Sequence, residues 1–322
     1  MLQHLSGISE IFLAGDKLQQ DIINWLSPPD PWKNHHISRD SRHPESAVWF
    51  IQGNTFSEWK ASEVPSSSLW IHGKRPLIPS SYAFSETENF FIVAGAGKSV
   101  FWYVKILIFP SQELIVLVSS TIIEEVDAMR KAGLASLGFF YCDFREDQKK
   151  DLHGLLSSLL VQLCSQSDSY CDMLSKFYSE HAKGSRHPGD DALVGCLKEL
   201  LRLPGLAPVY IIVDALDECP NTSAIPSPRH KVLNFIKELV ESQFPNLRLC
   251  VTSRPETDIK DVLDPLILHT VSLHDQNEQK TISGLSSIRI QKTEGGKRST
   301  SKWSLTSSQI RLTACKASIL NL

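Results

Sequence analysis

The feature that most constrains the fold of this chain is a short apolar run that ends in acidic residues. Val209–Val213 follows Pro208 and leads into Asp214, with Asp217 and Glu218 shortly after it. Four of the five apolar residues are Val or Ile, which predicts a strand buried in a parallel sheet. Such a strand places Asp214 at its carboxyl end, where open α/β sheets bind ligands. A carboxylate there is typical of a Mg²⁺ ligand in a nucleotide site, and a core strand followed by an acidic loop is the alternative.

The bulk composition argues against several classes of protein. Of the 322 residues, 42% are hydrophobic and 21% charged, as in ordinary globular proteins. A formal charge of -3 gives no electrostatic case for a nucleic-acid or anionic-membrane partner. The seven cysteines are scattered without a C-x-x-C spacing, which favours free thiols in a reducing compartment over disulfides or zinc. The start of the chain lacks a secretory signal pattern, so we expect a cytoplasmic protein.

The motif with the most specific chemistry is interrupted. A P-loop has the pattern G-x-x-x-x-G-K-[ST]. Its ending is present at Gly97, Lys98 and Ser99, but Ile92 stands where the first glycine belongs. Excising residues 75–93 restores the pattern directly after a short apolar strand that ends at residue 72. The restored motif reads Gly73-Lys74-Ala94-Gly95-Ala96-Gly97-Lys98-Ser99. We therefore interpret 75–93 as an insertion into a strand–loop–helix unit.

A second segment, 101–118, looks like another insertion. It is a run of bulky apolar residues broken by a lysine, a proline and a glutamate, too short and interrupted for a membrane span. Its removal joins Val100 to Ser119 and produces an amphipathic helix with Ile122, Ile123 and Val126 on one side. We expect both segments to lie outside the layered core. Translated introns are our hypothesis for them, and genuine family insertions are the alternative.

The rest of the chain alternates between strand and helix patterns. Strands are predicted at 68–72, 135–142, 209–214, 247–252 and 267–273, with leucine stripes of helical spacing between them. This rhythm predicts an α/β fold, a three-layer αβα arrangement around a mainly parallel sheet. We assign 1–46 to an N-terminal helix and linker, irregular over 28–46, and 47–275 to the α/β domain. The polar, basic segment 276–322 is expected to be disordered, with a nucleic-acid-binding tail as the alternative.

These elements predict one nucleotide site at the carboxyl edge of the sheet. Backbone N–H groups of the loop and the helix N-terminus would cradle phosphates. Lys98 would reach the β- and γ-phosphates, and Ser99 and Asp214 would hold Mg²⁺. Asp217 or Glu218 could orient the attacking water. The expected ligand is ATP or GTP, with no base-reading element to choose between them.

Several stretches resemble the NACHT domain of STAND-type P-loop NTPases, especially the fungal proteins with a nephrocystin-like N-terminal module. They are Leu69–Lys74, Ala94–Ser99, Phe139–Asp143, Val209–Glu218 and Val251-Thr252-Ser253-Arg254-Pro255. The resemblance covers roughly 20–275 without the insertions. It implies that Arg254 senses the γ-phosphate, and that Asp214 and Arg254 end strands on either side of the P-loop strand. It also implies a switch in which nucleotide exchange drives homo-oligomerisation, with slow hydrolysis at most, in self/non-self recognition or regulated cell death.

The departures from that family keep a second function open. The P-loop is split, Ala94 replaces a common proline, and neither an effector domain nor repeats accompany the domain. The alternative is a non-catalytic interaction fragment that keeps the fold and binds no nucleotide. The 75–93 segment discriminates between the two, because its presence removes the first glycine turn from the phosphate cradle. A metabolic P-loop kinase is a third alternative, but it lacks any recognisable substrate motif.

Overall fold

The computed structural model of the protein describes residues 17–40, 47–73, 112–204, 207–273, 291–294 and 297–300. The chain divides into two compact units, Met1–Val271 and Ser272–Leu322. Along the chain the elements are α1 (Lys17–Leu26), α2 (Pro31–Asp40), α3 (Val48–Ile51), α4 (Asn54–Ala61), β1 (Ser67–His72), α5 (Gln112–Lys131), β2 (Ser136–Tyr141), α6 (Leu152–Cys164), α7 (Asp168–Glu180), α8 (Asp190–Leu201), β3 (Val209–Asp214), α9 (Pro228–Glu241), β4 (Leu247–Ser253), α10 (Thr257–Leu263) and β5 (His269–Ser272), with 3₁₀ turns at Asp147–Lys149 and Leu216–Glu218.

The described strands of the first unit form one sheet with the order β2-β3-β4-β1-β5. The pairs β2–β3, β3–β4 and β4–β1 are all parallel. The prediction of an α/β fold with a mainly parallel sheet is confirmed, and the five strands lie within about two residues of their predicted positions. One expectation about the order is wrong. The strand that ends at Asp214 does not flank β1, because β4 lies between them.

Helices cover both faces of the sheet. On one face Phe140, Ile211, Val213 and Val251 join a continuous apolar core with α1, α6, α8 and α9. On this face Gly138 leaves room for α6, because a Cβ there would lie 2.9 Å from Leu159 Cδ2. Alternate residues of the same strands, such as Phe139 and Tyr210, point to the other face. There Trp32 of α2 packs on Phe139 and Trp59 of α4 packs on Tyr210. The protein therefore has the expected three layers.

The outer edge of β2 in the described sheet is closed by two glutamine side chains, Gln162 of α6 and Gln166 just after the end of that helix. Gln166 accepts a hydrogen bond from Leu137 N–H at 2.8 Å and donates to its carbonyl at 2.6 Å. Gln162 does the same for Phe139, at 3.1 and 2.8 Å. Each amide thus satisfies one backbone donor and one backbone acceptor, as a neighbouring strand would. These contacts protect an edge that could otherwise pair with another chain.

The predicted irregular connector over 28–46 is wrong for its middle part, which is the helix α2. Asp30 accepts the Trp32 N–H at 2.9 Å, and Pro31 occupies the first turn, where it is well tolerated. The buried face of α2 carries His35 and Ser38, while Ile37 is 64% exposed. The helix was missed because its inward face combines Pro31 and Trp32 with the polar His35 and Ser38 and so shows no apolar period. Residues 1–16 and 41–46 lie outside the described residues.

The expectation that the second segment, 101–118, lies outside the layered core is also wrong in part. Residues 112–118 form the start of α5, and Ile115, Leu117 and Val118 are buried. They belong to the layered core, together with Ile122 and Val126 further along the same helix. The whole of 75–93, and 101–111 of the second segment, lie outside the described residues. In the second unit, β6 (Gln291–Glu294) and β7 (Lys297–Thr300) pair antiparallel. The rest of the predicted disordered tail from 276 is outside the described residues.

Candidate functional site

Three parallel strands end side by side at one edge of the sheet. β1 ends at His72, which lies opposite Ser253 of β4. β3, on the other side of β4, ends at Asp214. Gly73 follows β1 as a buried residue, and Arg254 directly follows β4. The carboxyl edge therefore carries the acidic residue, the arginine and the first glycine of the P-loop motif. The remaining cradle residues lie outside the described residues: Lys74, Gly95, Ala96, Gly97, Lys98 and Ser99.

Asp214 is a buried carboxylate, 1% exposed. Thr252 Oγ1 donates to its Oδ1 at 2.6 Å, and Ser119 of α5 is within hydrogen-bonding reach. Burial disfavours the charged form more than these hydrogen bonds favour it, and it raises the pKa of Asp214 to about 6. Within the described residues, the groups that act on this pKa include no cation. The described residues therefore leave the charge of this carboxylate unpaired.

A divalent cation fits this environment. Mg²⁺ commonly takes only one or two protein carboxylates and completes its shell with water and substrate phosphates. A single buried carboxylate with a raised pKa meets that requirement, because a cation beside it would favour its ionised form. In the described part of the chain no three His, Cys, Asp or Glu residues cluster as a metal site of their own. Among the described residues Asp214 is the one that could contribute to a Mg²⁺ site, and the other predicted ligand, Ser99, lies outside the described residues.

The acidic turn after β3 is fixed against the loop after β4. Ala215 adopts a left-handed conformation, φ 55°, and its N–H donates to Thr252 Oγ1 at 3.0 Å. The Arg254 backbone N–H donates to Asp217 Oδ1 at 2.9 Å. Arg254 Nε lies 3.2 Å from Asp217 Oδ2, an ion-pair distance at which its N–H is not aligned for a hydrogen bond. A left-handed non-glycine residue stores about 1 kcal/mol or more of strain, a feature that clusters at functional turns.

A second carboxyl with a shifted pKa is that of Glu218, which is half-buried in the same turn. Burial and the negative charge of Asp143 raise the pKa of Glu218 to about 7, against a hydrogen bond from the Phe144 N–H. Asp143 itself stays ionised, because hydrogen bonds from Arg145 lower its pKa to about 2. Two guanidinium nitrogens of Arg145 donate hydrogen bonds to the Asp143 carboxylate, at 2.9 and 2.8 Å. At neutral pH Glu218 is therefore close to its titration midpoint.

The predicted acidic and arginine residues do meet at one edge, and their roles stay predictions. Two other participants were missed, although both stood inside stretches singled out in the sequence. Thr252 hydrogen-bonds both Asp214 and Ala215, and Asp143 raises the pKa of Glu218. Thr252 lies near the end of β4 and Asp143 lies just after β2, and both strands are neighbours of β3. Their positions in the site could be predicted only from the strand order, which the sequence does not give. Among the described helices none is long and apolar enough to cross a membrane.

Comparisons with known proteins find a similarity for part of the chain. A family model described as Nephrocystin 3, N-terminal, matches residues 116–254, which begin inside the second predicted insertion and end at Arg254. No curated protein matches the chain. Among solved structures, the ORC2 protein of Aeropyrum pernix, determined as ADPNP–ADP complexes, is 11% identical with a TM-score of 0.35. That match covers 72% of this chain and 47% of the other, less than half of its length. Residues 116–254, which include α6, β2, β3 and β4, are thus similar to the N-terminal region of nephrocystin 3.

Proposed function

We propose that the protein is a nucleotide-binding switch that takes ATP or GTP with Mg²⁺ at the carboxyl edge of its sheet. The observation that carries the proposal is the buried Asp214, on which no described cation acts, at the end of β3 on the edge where β4 leads into Arg254 and β1 leads into Gly73. In open α/β sheets this edge is the usual ligand site. The split Gly-Lys-Ser motif that follows β1 in the sequence supplies the phosphate-binding chemistry.

The residues divide the work by charge. Lys98 neutralises phosphate charge, and Ser99 and Asp214 hold Mg²⁺, which when bound screens the phosphates further. Arg254 contacts the γ-phosphate, with its guanidinium oriented by Asp217. Glu218 orients the attacking water and, with a pKa of about 7, can accept its proton at neutral pH. We expect hydrolysis to be slow, because the loop as written is split.

The resemblance to NACHT domains extends the proposal to signalling. On that basis nucleotide exchange drives homo-oligomerisation, and the domain over 47–275 acts in self/non-self recognition or cell-death signalling of the fungal type. The similarity of residues 116–254 to the nephrocystin 3 N-terminal region supports this class of protein. Light scattering with and without nucleotide tests the oligomerisation. A mass that is unchanged by ATP and by GTP, in a protein that binds one of them, contradicts the switch.

Isothermal titration of the full chain with ATP and with GTP, with and without Mg²⁺, tests nucleotide binding. Lys98→Ala should abolish binding, and the exposed Lys176→Ala is the matched control for loss of one lysine charge. Asp214→Ala should mainly remove the Mg²⁺ dependence. A variant without residues 75–93 should bind more tightly than the full chain. If neither the full chain nor this variant binds either nucleotide, the protein is the non-catalytic interaction fragment instead.

A further inference from the structure

A buried arginine outside the predicted site contacts both halves of it. Arg229 is the second residue of α9 and is 6% exposed. Its Nε donates to the Cys219 carbonyl at 2.9 Å, and its Nη2 donates to the Asp217 carbonyl at 2.6 Å. Its own backbone N–H donates to the Pro220 carbonyl at 3.2 Å. One side of the guanidinium therefore fixes the backbone of the acidic turn after β3.

The other side of the same guanidinium reaches the loop after β4. Nη1 forms an ion pair with Glu256 and lies 3.2 Å from Asp258 Oδ2. Glu256 follows Arg254 by two residues and stands at the start of α10. Asp258 also accepts a hydrogen bond from Asn221 at 3.0 Å. Arg229 thus links the turn that carries Glu218 to the loop that carries Arg254.

The geometry requires an arginine. Its planar fork donates in several fixed directions at once, whereas a lysine presents one compact charge on a flexible stem. A buried charge is tolerated only where it is paired and hydrogen-bonded, and here every nitrogen of the guanidinium has a partner. Asp217 is held at both ends, its carbonyl by Arg229 and its carboxylate by Arg254. One side chain of a neighbouring helix therefore holds the backbone of the turn from the side opposite Arg254.

We propose that Arg229 is a positioning residue that sets the acidic turn Asp217–Glu218 against Arg254. The role in hydrolysis rests on the proposed nucleotide site, whereas the control of the turn does not. Arg229→Lys keeps the charge next to Glu256 but loses the double contact to the carbonyls. Glu256→Gln, at a side chain that is 42% exposed, removes the ionic anchor on the β4 side and threatens the fold less. The matched control is Lys231→Met. Lys231 lies on the same helix as Arg229, and this change breaks an exposed ion pair with Asp190 of α8.

The first readout is amide hydrogen exchange of the free, full-length protein. Arg229→Lys and Glu256→Gln should both speed exchange at residues 215–219, while the central strands keep their protection and unfolding stays cooperative. Lys231→Met should leave the exchange pattern of the turn unchanged. If both variants leave exchange at the turn as in the wild type, the positioning role is refuted. If exchange rises equally over the whole domain, Arg229 is merely structural and the proposal fails as well.

The second readout separates binding from hydrolysis of ATP or GTP with Mg²⁺. In Arg229→Lys the turnover rate should fall about tenfold or more while the dissociation constant changes by less than about threefold, because the phosphate cradle is untouched. Equal losses in affinity and turnover overturn the positioning role. If the wild type binds neither nucleotide, the proposed function fails, and the exchange pattern alone decides whether Arg229 positions the turn.

Discussion

Replacement of Asp214 by Asn should stabilise the protein, and should do so more at pH 8 than at pH 5. Burial raises the pKa of this carboxyl from 3.8 to about 6, so the folded state holds the proton more tightly than the unfolded state. Its contribution to stability is complete below about pH 4 and is lost as the pH rises through about 6. At roughly 1.4 kcal/mol per pKa unit, ionisation costs the fold about 3 kcal/mol at pH 8 and about half of that at pH 5.

The asparagine variant cannot ionise but keeps an oxygen that can accept the Thr252 hydroxyl. Its advantage over the wild type should therefore grow by about 1 kcal/mol between pH 5 and pH 8. Urea denaturation followed by tryptophan fluorescence measures it, at several pH values and with a chelator present. The chelator matters because a bound divalent cation would itself stabilise the ionised carboxylate and hide the effect.

Asp127→Asn is the control with the opposite sign. Burial opposes ionisation of Asp127, but hydrogen bonds from Lys131 and Arg130 outweigh it and lower the pKa of this carboxyl, so it stabilises the fold above about pH 4 and loses its contribution as the pH falls further. Its folded and unfolded pKa values both lie below pH 5, and the cost of this variant should be the same at pH 5 and pH 8. The free energies of unfolding of Asp214→Asn and the wild type are compared at each pH. If their difference is constant or shrinks as the pH rises, ionisation of the buried carboxylate does not destabilise the fold and the reasoning is refuted.

Two further predictions concern the fold around the site, both measured as urea midpoints at constant m-value. Gly154→Ala should cost about 3 kcal/mol or more, because its Cβ would lie 1.8 Å from the Gln148 carbonyl oxygen. Gly195→Ala, in α8 with nothing within 4 Å of the new Cβ, should instead stabilise by about 0.5–1 kcal/mol, and a loss in both would contradict the packing. Gln162→Leu should cost about 1–3 kcal/mol by leaving the buried backbone of Phe139 unpaired, and an unchanged midpoint would show that this edge needs no cap.

The strands were predictable because their signal is local. Val209–Val213 and Leu247–Thr252 are dense in branched apolar residues, and both are buried along their whole length. The same richness in apolar residues made the end of the second predicted insertion impossible to place from the sequence. Val116, Leu117 and Val118 continue an apolar run, so nothing in their composition separates inserted residues from the first turns of α5. Leu117 and Val118 are assigned to the core only by their burial in the folded protein.

The pairing within the site could not be predicted for a different reason. Asp217 reaches Arg254 because Ala215 turns the chain through a left-handed conformation, and alanine gives no local signal for that conformation. Arg229 gives even less warning, since a charged residue in the first turn of a helix is ordinarily solvated. Its partners lie in two loops that come together only once β3 and β4 are neighbours. Long-range contacts of this kind follow from topology and not from residue type.

Within the proposed site, the geometry favours one of the two acids that the sequence left equivalent. The Asp217 carboxylate accepts the Arg254 N–H at Oδ1 and lies at ion-pair distance from its guanidinium through Oδ2, so both of its oxygens face Arg254 and its charge is compensated. A group that orients water needs a free lone pair and a pKa near the working pH. Glu218 meets the second condition, because burial and the fixed charge of Asp143 raise its pKa to about 7. Within the proposed site, Asp217 therefore orients the arginine, and Glu218 is the residue left to act on water.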